Sequence, residues 1–413
     1  MSHHRAGAAA LASADAVPPR NDLFARARAF TAPAEVKAAD LYPYFRTIES
    51  CMDAEVLTGG RRSVMLGSNN YLGLAGHPRL RRAAAAAVEK YGVGLSGSRL
   101  LNGTLDLHVK LERKLALFHR REAALVFSVG YLANLGVLSG LCGRGDVVVL
   151  DRLVHASLVD ACRLAGVEVR RFRHNDPVHL DRVLSSEGGR PALVAVDGVY
   201  SMDGDVAPLP DLLAVCRRHG ARLLVDDAHG LGVLGKTGRG TAEHFDLEQE
   251  VDLIVGTLSK ATGGQGGYVV GDEAVVDFIR HLSRPLIFNA AATPPAVAAA
   301  LEALDVIVDE PDLRARLWAN TDRFLGGLKA RGFDTGPTRT PIVPVQVGEQ
   351  DRAFLFWRHL RDDGIFVNPV LPPAVPAGRC IVRATVIASH TDEQLDRALE
   401  AFERAGRALG LIS

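Results

Sequence analysis

Apolar and polar positions follow two different periods along this chain. From about residue 78, HPRLRRAAAAAVEKYG reads as a helix, GVGLSGSRLLNGT as a glycine-rich loop and DLHVKLERKLALFHR as a second helix. Beyond them DVVVL, VEVRRF, PALVAVDG, ARLLVDDAHG, VDLIVGTLSK and GGYVVG are short β-branched runs bounded by Gly, Asp or Pro. Helical stretches such as HASLVDACRLAG and PLPDLLAVCRRHG separate several of them. This alternation predicts an α/β fold, with a mostly parallel sheet covered by helices on both faces. Upstream, residues 22 to 66 read as a helical or extended lead-in with a strand signal near Arg62 to Leu66. Past Pro294 the pattern changes to two long amphipathic helices, PPAVAAALEALDVIVDE and DLRARLWANTDRFLGGLKARG. Strand candidates PIVPVQVG, GIFVNPV and RCIVRATV follow, and a last helix opens at Thr391-Asp392-Glu393-Gln394, a capping box. The expected organisation is a tail over 1–21, a lead-in over 22–66, a large α/β domain over 67–305 and a small α+β domain over 306–413.

Composition narrows the range of functions. Lys and Arg number 48 and Asp and Glu number 48 among 413 residues, so the basic excess on which nucleic-acid affinity is built is missing. Hydrophobic residues make up 47% and charged residues 23%, the balance of a globular chain with a large core. No run reaches the roughly 18 apolar residues of a membrane helix, so no span is expected. The opening MSHHRAGAAALASADAVPPRND imitates a signal peptide, yet its alanine-rich middle is too weakly apolar, and it reads as a disordered tail. Cys51, Cys142, Cys162, Cys216 and Cys380 are far apart, with no CxxC pair. That usage predicts a reduced, cytoplasmic protein with no metal site.

Ligands of α/β proteins sit at the carboxyl ends of the strands. There ARLLV runs into Asp226-Asp227-Ala228-His229-Gly230, VDLIVG runs into Thr257-Leu258-Ser259-Lys260, and DVVVL leads through Asp151 to His155. A strand-end lysine is ordinarily a solvated loop residue, and a strand-end aspartate ordinarily a turn former. Lys260, however, is followed by ATGGQGG, a loop suited to close approach of a ligand. A strand rather than a helix comes after it, so it is not a dinucleotide loop. A carboxylate, an imidazole and an amine on one rim match the needs of pyridoxal phosphate, which requires a Schiff-base lysine and an acid at its ring nitrogen.

The ordered series SNNYLGL, GSRLLNGT, LHVKLE, HASLVD, GVYSMDGD, VDDAHGLGVLGKTGRG, GTLSKATGGQGGY and RATVIASHT, spanning about Tyr42 to Arg404, resembles the α-oxoamine synthases, a family of fold-type I pyridoxal-phosphate enzymes. YPYFRTIES, GSRLLNGTLDLH and HNDPVHLD are most similar to bacterial members of the serine palmitoyltransferase type. The resemblance implies a homodimer with active sites at the subunit interface. It implies condensation of serine, glycine or alanine with an acyl thioester, on coenzyme A or a carrier protein, giving an α-amino ketone, CO2 and a free thiol. Activities of the 8-amino-7-oxononanoate synthase or 2-amino-3-ketobutyrate CoA ligase type are alternatives. So are other pyridoxal-phosphate chemistry on an amino acid and a catalytically silent partner subunit, and against the last stands the retention of Lys260, Asp226, His229 and His155 together.

By the same resemblance Lys260 forms the Schiff base, and its freed amine takes the Cα proton. Asp226 keeps the ring nitrogen protonated, His229 and Ser201 support the phenolic oxygen, and His155 stacks on the cofactor face. Val129, Gly130 and Tyr131 offer backbone N–H groups to the phosphate at a helix start, with the Thr257 hydroxyl beside them. Arg383, assisted by Asn69, clamps the substrate carboxylate. The chain departs from the family in two places. Ala290-Ala291-Ala292 stands where hydroxyl residues reach the neighbouring subunit's phosphate, so that contact is either lost or passed to Asn289 or Thr293. Ile387 stands where a small hydroxyl residue is usual.

Overall fold

The computed structural model describes residues 23–413, so the tail expected over 1–21 lies outside the described residues. The chain divides into two compact units. One holds the residues up to Ser68, Met202–Gly204 and Trp318–Ser413, and the other holds Asn69–Ser201 and Asp205–Leu317.

In the first unit two short helices, Ala25–Arg28 and Ala32–Ala38, precede β1 (Glu55–Thr58) and β2 (Arg61–Met65). The second carries β3 (Ala123–Phe127), β4 (Val147–Asp151), β5 (Glu168–Phe172), β6 (Ala192–Asp197), β7 (Arg222–Asp226), β8 (Leu253–Thr257) and β9 (Gly267–Gly271). They form a seven-stranded sheet in the order β3-β9-β8-β7-β6-β4-β5, with β9 antiparallel to both its neighbours and β4 to β8 parallel. The strand sequences are continuous apolar runs because both faces are covered. Val147, Val149, Val194, Val196, Leu223 and Val225 point into one core, while Val148, Leu150, Leu193, Ala195 and Leu224 point into the other. Each such side chain contributes about 1.5–3 kcal/mol by leaving water. Edge strand β5, read from EVRRF, keeps its charges outward, which discourages pairing with another chain.

Every strand expected between residues 146 and 271 is present, and β3 is an addition. Its sequence AALVF has a single β-branched residue among good helix formers, so only tertiary packing makes it a strand. The helix Pro294–Asp309 packs on Pro78–Tyr91, whose five consecutive alanines allow close approach. Val297 and Leu304 share a core with the sheet, so this helix and the residues to Leu317 belong to the second unit, past the boundary expected at 305/306.

The first unit continues with β10 (Ile342–Gly348), β11 (Ile365–Phe366), β12 (Asn368–Val370) and β13 (Cys380–Thr385). GIFVNPV is therefore two short strands in two sheets, ordered β1-β2-β11 and β10-β13-β12. Pro344 and Pro369 fall on the edge strands β10 and β12, where a missing N–H is tolerated, and central β13 has no proline. β1 and β2 are joined by Gly59-Gly60, both at positive φ, as a two-residue hairpin turn requires. β2 pairs in parallel with β11 through Val64↔Ile365 and Met65↔Phe366, which ties the lead-in to the C-terminal segment. Phe324, Phe333, Phe356, Trp357 and Phe402 fill this unit's core. Helix Asp392–Ala408 starts at the expected capping box: Gln394 N–H donates to Thr391 Oγ1 at 3.3 Å and Thr391 N–H to Gln394 Oε1 at 3.1 Å.

Candidate active site

Parallel strands deliver their last residues to one edge. Asp197 at the end of β6 is level with Asp226 at the end of β7, and Thr257 ends β8. A cavity of about 280 Å³ in the second unit opens there. Nine of the residues singled out in the sequence line it: Val129, Gly130, Tyr131, His155, Ser201, Asp226, His229, Thr257 and Lys260. Asn69 and Arg383 do not. Asn69 opens the second unit, with its carbonyl accepting from Tyr71 N–H at 2.9 Å. Arg383 is buried on β13 of the first unit, donating to Thr385 Oγ1 at 2.8 Å.

Lys260 Nζ lies 2.8 Å from His229 Nε2, and Tyr71 Oη lies 2.6 Å from His229 Nδ1. Asp226 is oriented from two sides: Asn134 Nδ2 donates to Oδ2 at 2.6 Å and Ala228 N–H to Oδ1 at 3.1 Å. Asn134 also donates to Ser157 Oγ at 2.8 Å, and Ser157 Oγ sits 2.7 Å from His155 Nδ1. The backbone N–H of His155 donates to both oxygens of Asp197 at 3.2 Å. Burial lowers the His155 pKa, reinforced by Lys260 and opposed by Asp226, so the imidazole is held towards its neutral form. Burial, then the adjacent Asp226, raises the Asp197 pKa well above the usual carboxylate range.

The helix Gly130–Leu141 starts at this rim, and its N-cap Val129 gives no side-chain hydrogen bond to the first turn. Bare N–H groups and the positive end of the helix dipole therefore form an anion seat. The surrounding backbone approach is very close. A Cβ on Gly130 would lie 2.8 Å from Thr257 Oγ1, and one on Gly267 would lie 2.6 Å from Gly130 Cα. An amine, a fixed carboxylate, a buried imidazole and a phosphate-sized seat in one cavity are the donor set that pyridoxal phosphate needs, so the residues fit that cofactor.

Elsewhere in the second unit, His174 bridges two carboxylates. Its Nδ1 is 3.0 Å from Asp151 Oδ1 and its Nε2 is 2.8 Å from Asp205 Oδ2. The ring stands edge-on to Tyr200 at 4.3 Å between centroids. Burial alone would lower the His174 pKa, but the bonds and charges of Asp151 and Asp205 outweigh it and raise it to about 9.

Sequence reasoning missed Tyr71, Asn134, Ser157 and Asp197. Asp197 carried the same strand-end signal as Asp226, and Ser157 stood inside HASL, whereas the pairing of Tyr71 with a histidine 158 positions away left no local trace. Of the departures, Asn289 donates to Ser128 Oγ within its own chain, and Thr293 is the N-cap of helix Pro294–Asp309. Ile387 is fully buried in the first unit, its carbonyl accepting from Asn320 Nδ2 at 3.1 Å.

The profile of the aminotransferase class I and II family matches residues 61–402. The chain belongs to that family. An 8-amino-7-oxononanoate synthase of Geobacter sulfurreducens is 47% identical over 382 residues, 92% of this chain and 97% of the relative. A serine palmitoyltransferase of Sphingobacterium spiritivorum is 44% identical over 371 residues, 90% of this chain and 93% of the relative. Among solved structures, serine palmitoyltransferase of S. paucimobilis with a bound PLP–myriocin aldimine superposes with a TM-score of 0.92 at 39% identity, covering 95% of this chain and all of the other. The fold is therefore that of fold-type I pyridoxal-phosphate transferases, a large mostly parallel sheet with a smaller C-terminal antiparallel part, as the alternation of strands and helices predicts. Pyridoxal phosphate is the cofactor of this class I and II family member.

Proposed function

We propose that this chain condenses a small α-amino acid, serine by preference, with a long-chain acyl thioester, releasing CO2 and the free thiol and leaving an α-amino ketone. The observation that carries this reading is the grouping of Lys260, His229 and Asp226 with a bare helix N-terminus in one cavity. The solved serine palmitoyltransferase that matches this chain with a TM-score of 0.92 supports the choice of substrates.

Pyridoxal phosphate, when bound, supplies an electron sink for the charge left as the Cα proton departs. The chain's residues do the rest. Lys260 Nζ holds the cofactor and accepts the Cα proton on its freed amine. Asp226, fixed by Asn134 and Ala228, would hold the proton on the ring nitrogen. Neutral His155 offers a flat face with Ser157 fixing its ring. The first turn of Gly130–Leu141, with Thr257, holds the phosphate. Arg383 and Asn69 take the substrate carboxylate. Fixing that group would supply orientation, worth several orders of magnitude in rate.

We read the enzyme as a cytoplasmic homodimer. The five cysteines are all free. Val93, Leu100, Leu101 and Phe288 are exposed on segments joined by the Ser98↔Ala290 bridge, an apolar patch suited to a second subunit. None of the described helices is long and apolar enough to cross a membrane.

The 47% identity to an 8-amino-7-oxononanoate synthase favours a second reading. By its structure that product joins alanine to a dicarboxylic acyl group. Purified enzyme loaded with pyridoxal phosphate is titrated with serine, glycine and alanine while its visible band is followed, and CO2 release is then measured with and without a long-chain acyl-CoA. A response to serine, with CO2 release only when the thioester is present, is the expected result. A response to alanine with no turnover of long-chain acyl-CoA favours the second reading. CO2 release indifferent to any thioester, or no visible band at all, overturns both.

A further inference from the structure

Tyr71 is 1% exposed, and nothing in the site's assignment so far uses it. Its segment is locked in place. Asn70 Oδ1 accepts from Ala75 N–H at 3.1 Å, Asn70 O from Gly73 N–H at 2.8 Å, and Leu72 and Leu74, which follow Tyr71, are buried. The lysine loop meets this segment backbone to backbone, since a Cβ on Gly263 would lie 2.3 Å from Ala75 N. Tyr71 Oη is thereby fixed 2.6 Å from His229 Nδ1, on the side of the imidazole opposite the 2.8 Å contact to Lys260 Nζ. The three side chains form one line of hydrogen bonds, tyrosine to imidazole to lysine.

A neutral imidazole carries one proton, and a bond at one nitrogen decides which role the other plays. A phenol O–H can donate to that nitrogen. We propose that Tyr71 is a positioning residue whose O–H donates to His229 Nδ1 and holds the imidazole in the tautomer with its proton on Nε2, facing Lys260 and the oxygen-bearing edge of bound pyridoxal phosphate. The assignment rests on the pyridoxal-phosphate reading above. It makes His229 a fixed donor toward the pocket, its Nε2–H pointing at the lone pair of an unprotonated Lys260 amine 2.8 Å away.

Nitrogen NMR of enzyme labelled with 15N-histidine tests this directly, because ring nitrogens with and without a proton resonate far apart. The His229 signals are those lost in His229→Asn. In enzyme loaded with pyridoxal phosphate, His229 is expected to carry its proton on Nε2 from pH 6.5 to 8.5. In Tyr71→Phe that population should fall, since the bond that fixes Nδ1 as an acceptor is gone, and the pH at which the visible band changes should move. A wild-type His229 protonated on Nδ1 or on both nitrogens overturns the proposal, as does a Tyr71→Phe spectrum identical to wild type. Incorporation of 3-fluorotyrosine, which acidifies the phenol without removing it, serves if Tyr71→Phe does not fold, and it needs no cofactor. The His229 Nδ1 resonance should shift, and an unmoved resonance also overturns the proposal. A missing visible band would refute the cofactor reading, whereas a normal band with unchanged histidine signals would refute only the role of Tyr71.

Discussion

His174 gives a stability prediction whose size and pH dependence both follow from its two carboxylate partners. Its side chain is 23% exposed and Asp151 is fully buried. Raising the imidazole pKa from its ordinary 6.5 to about 9 corresponds, at about 1.4 kcal/mol per tenfold change in proton affinity, to about 3 kcal/mol. Removing one member of a buried charged group costs a similar 3–5 kcal/mol. Below pH 6.5 the histidine is charged in the folded and unfolded chain alike, and the whole stabilisation is present. Between 6.5 and 9 only the folded chain keeps the proton, so the contribution shrinks, and it is lost as pH rises through about 9. His174→Asn should therefore lower Tm by about 6–12 °C near pH 6, at about 2–4 °C per kcal/mol for a unit of this size. By pH 10 wild type and variant should differ by a few degrees at most. Scanning calorimetry of both proteins with saturating pyridoxal phosphate from pH 6 to 10 measures the gap. A gap constant across that range, or one of about 2 °C or less at pH 6, would refute the charged-bridge reasoning.

Other outcomes are simpler to state. Lys260→Ala should abolish thioester-dependent CO2 release while circular dichroism stays that of the wild type; turnover near the parental rate would remove Lys260 from the chemistry. Gly130→Ala should cost about 1–3 kcal/mol of stability through its clash with Thr257, read as a lower Tm, and displacement of the Thr257 hydroxyl should weaken pyridoxal-phosphate binding in a fluorescence titration. Arg383→Ala should raise the amino-acid KM and slow CO2 release, and unchanged steady-state constants with serine, glycine and alanine would place the carboxylate elsewhere.

The parallel strands β4, β6, β7 and β8 were readable because a strand buried on both faces must be apolar at every position, and each ends on Asp or Thr. The same strand ends delivered Asp226 and Thr257, and the glycine-rich loop marked Lys260. Applied evenly, that rule would also have found Asp197. AALVF escaped because its residues favour a helix when read alone. GIFVNPV reads as one strand because nothing local reveals that its two halves pair with different partners, Val64 and Met65 in one case and Arg383, Val382 and Ile381 in the other. Tyr71 and Asn134 act through partners 158 and 92 positions away, beyond any sequence period.

The pairing of β2 with β11 has a consequence for biosynthesis. Val64 and Met65 leave the ribosome long before Ile365 and Phe366 exist. At about 5–20 residues per second the wait for the intervening roughly 300 residues is about 15–60 s. Asn69 to Leu317 are all translated within that interval, so every residue of the sheet-bearing unit is available to fold first. Until Ile365 and Phe366 emerge, the nascent chain displays the apolar end of β2, Val64-Met65, without that partner. That edge is where a chaperone would be needed, and where truncation near the C-terminus would leave an aggregation-prone product.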